Sequence, residues 1–184
     1  MILIRERATG AMQWVLSLDG YDPAAIEQLG VLPEGLSPER AVWDGTAIVA
    51  DPAWLAGVEA DLHARIDAEA GAFRTRFITA VPGQELTYQR KEAEAWAWVT
   101  VEAPDLADYP FLAAEAAATG SAPGDAAAAI IAAAEMWAAI GSAIEGARIG
   151  AKRAVTAAAD APAKAAAAVV DWEALLAPEP GGAD

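Results

Sequence analysis

AVWDGTAIVADPAWLAGVEADLHARI, residues 41–66, changes its period at the midpoint. In its first half Asp44-Gly45 separates two short β-prone runs, and Asp-Gly favours the turn whose twist matches paired strands. In its second half Asp51 is a good N-cap, Pro52 suits a first helical position, and Leu55, Val58, Leu62 and Ile66 recur at helical spacing. A strand pair running straight into an amphipathic helix divides the chain in two: β-rich before residue 50, helical after it.

Upstream, Ile2 to Arg7 and then Met12, Trp14, Leu16 and Leu18 alternate around Gly10, which predicts another hairpin. Asp19-Gly20-Tyr21-Asp22-Pro23 is turn chemistry, and Pro23 can open a short helix through Leu29 that stops at Gly30. Residues 31–38 carry Pro and Gly and read as a loop. Residues 1–50 are therefore expected to be a β-rich module of two hairpins and a short helix.

Downstream, the first helix is expected to run to about Phe77. Pro82 and Gly83 form a hinge, since proline disfavours the α conformation in the preceding residue. A second helix follows from Gln84 to Val99, before Pro104. A third opens at Pro110 and closes at Gly120. The longest runs from Ala126 to about Ala159, with Asp125 as expected cap, and a short last one after Pro162 carries Val169, Val170, Trp172 and Leu175. Residues 51–176 form this helical region, and 177–184 a tail of disorder-like composition. The fold class is α+β.

The charge is −15 over 184 residues, and basic residues form only short clusters such as Arg148, Lys152 and Arg153, which excludes nucleic acid as an expected partner. There is no cysteine, so no disulfide and no thiolate site can form. Residues 126–144 look apolar enough for a membrane span, but Glu135 sits among them and alanine gains little on transfer, so no span is expected. His63 is the single histidine. Glu59, His63 and Asp67 share a helix face and could geometrically hold a metal, yet a solvated polar face is the plainer reading. Asp19, Asp22, Glu85, Glu92 and Glu94 read as surface groups. No catalytic, cofactor or metal site is predicted, and the chain is not expected to be an enzyme.

The aromatic and small residues carry more. Trp96 and Trp98 project to nearly opposite sides of one helix, so one serves the interior and the other calls for a second surface. Trp14, Trp43 and Trp54 suit a β-module core. In the long helix Ile130, Trp137 and Ile144 recur every seven residues, with Ile140 between them, in a heptad-like seam. Gly141, Gly146 and Gly150 each cost a helix about 1 kcal/mol against alanine, which suggests close approach of a neighbouring helix. The expected protein-contact residues are Trp96, Trp98, Ile130, Trp137, Ile140, Ile144, Gly146 and Gly150.

The order of FITAVPGQELTYQRKEAEAW (77–96), DYPFLAAEAAATG (108–120) and IEGARIGAKRAV (144–155) around a central Trp137 resembles the C-terminal domain of tailed-bacteriophage tail proteins, often associated with tail fibres. The matching residues include Pro82, Gly83, Gln84, Tyr88, Lys91, Glu92, Tyr109, Pro110, Leu112, Gly120, Trp137, Glu145, Arg148 and Lys152. VWDGTAIV (42–49) is similar to small β segments that begin fibre proteins. The resemblance brings no catalytic residues. It implies a structural or assembly role, and the expected place is the virion tail, at the fibre or baseplate, with other phage tail proteins as partners; the Ala/Gly-rich helices, packing closely, add an expected homo-oligomer, a trimer being one closed form. The alternative it implies is a tail-fibre assembly chaperone acting in the host cytoplasm and absent from the virion.

Overall fold

The computed structural model describes residues 1–77 and 84–176 and is α+β, with antiparallel strands first and five α-helices after them. The strands are β1 (Ile2–Glu6), β2 (Met12–Val15), β3 (Ile26–Val31), β4 (Ala41–Trp43) and β5 (Ile48–Ala50). The helices are α1 (Pro52–Arg74), α2 (Gln84–Thr100), α3 (Pro110–Thr119), α4 (Pro123–Ala157) and α5 (Ala161–Ala167). The chain divides into two compact units, Met1–His63 with Ala154–Ala168, and Ala64–Arg153 with Val169–Asp184, so the expected boundary at residue 50 falls inside the first.

In the first unit β1 lies between β2 and β3, antiparallel to both, with Ile2 opposite Val15 and Val31. The short helix expected from Pro23 to Leu29 is replaced by strand β3. A helix that short gains little by itself, whereas pairing satisfies the free edge of β1, sets Ile26 opposite Glu6 and leaves Ile26 buried, as Leu3 and Ile4 are. The Asp-Gly hairpin forms as expected: β4 pairs with β5, and the Asp44 carboxylate accepts amide hydrogens from Thr46 (2.7 Å) and Ala47 (2.8 Å). Trp14, Trp43 and Trp54 are half-buried, and the Arg40 guanidinium lies 5.0 Å from the Trp54 ring centre. Asp51 caps α1 through Ala53 N–H (2.8 Å), and Asp160 caps α5 through Ala163 N–H (2.8 Å).

The first unit also holds a buried cation. Lys164 of α5 donates to Glu59 Oε2 (2.9 Å) and to the Val155 carbonyl (2.8 Å), and the Thr156 hydroxyl donates to Glu59 Oε1 (2.6 Å). The Glu59 carboxyl is held below its ordinary pKa, first by the Thr156 hydroxyl and then by Lys164. The Glu59 and Asp67 carboxylates of the expected polar stripe are thus engaged by other side chains, and no group of three metal-binding residue types clusters among the described residues.

Among the described residues of the second unit lie two apolar clusters. Ala95, Leu112, Ala116, Ala126 and Ala127 are buried together, joined by Trp98, Tyr109 and Ile130; Ala70, Phe73 and Ile144 form the other with Ile140 and Trp172. Glu94, expected as a surface group, ties α2 to α3. Its Oε2 accepts from Phe111 N–H (2.8 Å) and Leu112 N–H (3.0 Å) at the start of α3, where Tyr109 offers no side-chain cap. Gly120 closes α3 at φ 70°, a conformation that favours glycine.

Three further boundaries differ from expectation. α4 begins at Pro123, which suits the first helical position, so Asp125 lies in the first turn instead of capping it. α1 stops at Arg74 rather than Phe77. The last helix ends at Ala167, so Val169 is exposed beyond it, and Trp172 and Leu175 reach the Phe73 cluster from a turn and a short 3-10 segment. The hinge residues Pro82 and Gly83 and the tail 177–184 lie outside the described residues.

Candidate interaction surface

Trp96 and Trp98 stand one residue apart in α2 and meet different environments. Trp98 packs edge-on against Tyr109, ring centres 5.5 Å apart, whereas Trp96 is 44% exposed. Tyr88, Trp96 and Val99 are exposed along one side of α2, interrupted by Glu92.

α4 shows the same division over a greater length. Ile130, Trp137, Ile140 and Ile144 lie on its inward side. Ile144 is fully buried, so this expected contact residue belongs to the core and offers nothing to a second chain. Ile130 and Ile140 are partly buried against the two clusters. The remainder of the helix surface is barer: Met136, on its flank, is 61% exposed and Ile149, on the side away from Ile144, 46%. Of an 18-residue window of α4 with mean hydropathy 1.7, only 11% is buried, and by length and composition this helix could cross a membrane.

The glycines give a sharper result than the spacing did. A Cβ placed on Gly146 or Gly150 would meet nothing within 4 Å, and one on Gly141 would meet only its own helix's Trp137 at 3.5 Å. No neighbouring helix among the described residues therefore requires them, and the close approach they permit is open to a surface outside the chain.

The inward side of α4 is fixed by charge, which the spacing of residues did not disclose. Arg148 donates to Glu145 Oε1 (2.6 Å) and to Asp67 of α1 (2.7 Å); Lys152 reaches Asp67 (2.7 Å), and Arg74 reaches Glu145 (2.6 Å). Hydrogen bonding by Arg148, then by Arg74, depresses the Glu145 carboxyl from 4.5 to about 2, and Lys152, then Arg148, lowers that of Asp67. Glu145 and Arg148 pair from i to i+3 within α4, whereas Asp67 and Arg74 are brought to them by α1.

A shallow groove of about 470 Å³ lies beside Phe73, Arg76, Trp172 and Glu173. Its polar groups are already engaged: Arg76 sits 4.7 Å from the Phe73 ring centre and pairs with Glu173, and Trp172 Nε1 donates to Glu69 (3.1 Å). The groove thus has the form of an internal packing joint.

Comparison with protein-family models, with curated proteins and with solved structures returns no match to this chain. The site is therefore read from its own geometry: an exposed apolar helix face with Gly146 and Gly150 that no described residue covers, adjoining an inward face locked by ion pairs.

Proposed function

We propose that the chain is a non-enzymatic structural component of a bacteriophage tail, at the fibre or baseplate, that acts by self-association and by binding other tail proteins. The observation that carries the binding role is the 35-residue α4, whose apolar 18-residue window is only 11% buried. Large apolar patches left in water favour association. The viral setting rests on the resemblance described above, which covers residues 70–160. A protein partner suits the face better than lipid, because Glu135 would be costly at mid-bilayer and alanines gain little there.

Light scattering on the full chain at micromolar concentration tests the association, and a stable monomer overturns it. Gly146→Leu and Gly150→Leu sharpen the test. Leucine is the better helix former by about 0.8 kcal/mol and its Cβ meets nothing within 4 Å among the described residues, so each variant should fold at least as stably while losing assembly. Unchanged assembly removes the glycine argument. Stoichiometric recovery of the chain from purified virions supports a tail component, and its absence from the particle transfers the role to the assembly chaperone.

A further inference from the structure

Six positions of α4 recur at spacings of 4, 3, 4, 3 and 4 residues: Glu135, Ala139, Ser142, Gly146, Ile149 and Arg153. Every one is exposed, so together they form a continuous stripe along the side of the helix that faces away from its core. Its two ends are eighteen residues apart, five turns of an α-helix, and carry opposite charges.

These end charges are separate from the network that fixes the helix. Glu145, Arg148 and Lys152 are all held in ion pairs within the unit, but Glu135 and Arg153 pair with no other described residue. Between them the stripe is uncharged, with Ser142 Oγ donating to its own helix at Ala139 O (2.9 Å).

We propose that this face is the contact between two copies of the chain, whose α4 helices run antiparallel about a two-fold axis near position 144. The proposal rests on the self-association advanced above and specifies its geometry. Such an axis sets Glu135 of one copy against Arg153 of the other, twice per pair. It also sets Ile149 against Ala139 and Ser142 against Gly146, a large or polar side chain against a small one at each layer, as close helix packing requires. Parallel pairing, or a three-fold bundle of parallel helices, would instead bring Glu135 onto Glu135 and Arg153 onto Arg153, and like charges opposed across an interface are repulsive. The charge of −15 on each chain makes a face that is itself neutral the favourable place for two copies to meet.

Charge reversal tests the geometry in the full chain. Glu135→Arg and Arg153→Glu should each weaken pairing at least tenfold, because each places like charges together at both ends. An equimolar mixture of the two variants should restore pairing as a mixed species, which native mass spectrometry separates by mass from either homodimer. Since the chain has no cysteine, Glu135→Cys with Arg153→Cys in one chain should cross-link copies under mild oxidation, and Glu135→Cys alone should not. A wild type that remains monomeric overturns both this geometry and the association beneath it. A wild type that associates but is indifferent to both reversals, or copies cross-linked through Glu135→Cys alone, overturns the antiparallel geometry and leaves the association standing.

Discussion

Trp98 and Trp96 are separated by one residue and by the surface of the protein: the Trp98 ring meets Tyr109 edge-on at 83° and 5.5 Å, while Trp96 stands 44% exposed. An α-helix turns about 100° per residue, so a step of two carries a side chain most of the way to the opposite face. Trp98→Ala should cost about 2 kcal/mol in denaturant unfolding, less than for a fully buried aromatic. Trp96→Ala should change unfolding by less than about 0.5 kcal/mol, as at an ordinary surface site. Equal losses at both positions would contradict the difference in burial.

Glu94 caps α3 from a different helix, and its removal should be felt there. Glu94→Ala leaves two first-turn amides without their acceptor and should destabilise the fold by about 1 kcal/mol. Glu94→Gln, which keeps an acceptor and loses the charge, should recover part of that. Thermal melts of the two variants against wild type decide it.

Acid should loosen the joint between α1 and α4 within the second unit. The folded state depresses the Glu145 carboxyl from 4.5 to about 2, so it prefers the ionised form. The stabilisation is therefore complete above about 4.5 and is lost as the pH falls toward about 2. Glu145→Gln should be less stable than wild type near neutrality, and the difference should vanish at the acid end of a pH series of denaturant midpoints. A gap that stays constant through that window would rule out the linkage.

Lys164 is buried with its charge satisfied by Glu59 and by the Val155 carbonyl. Lys164→Ala removes both hydrogen bonds and the packed methylene stem, and should cost about 2 kcal/mol. Lys164→Met keeps the stem and should cost less. Urea unfolding of both variants measures the difference, and a neutral Lys164→Ala would show that the bonds contribute nothing net.

Sequence by itself determined the elements whose cause is local. Asp44-Gly45 marked the turn of one hairpin, Asp51-Pro52 opened α1, Pro110 and Gly120 bounded α3, and the two-residue step between Trp96 and Trp98 placed them on different faces. Each follows from backbone geometry acting within a few residues.

Tertiary structure decided what depends on distant neighbours. Residues 26–31 became a strand because β1 offered an edge, and Glu94 became a cap because α3 lacked one. Arg148 and Lys152 met Asp67, and a Cβ on Gly146 or Gly150 of α4 proved to have no neighbour among the described residues. A side chain's spacing gives its direction along an element, but the free energy of pairing an edge, a charge or an amide depends on what stands opposite, and only the folded chain brings those groups together.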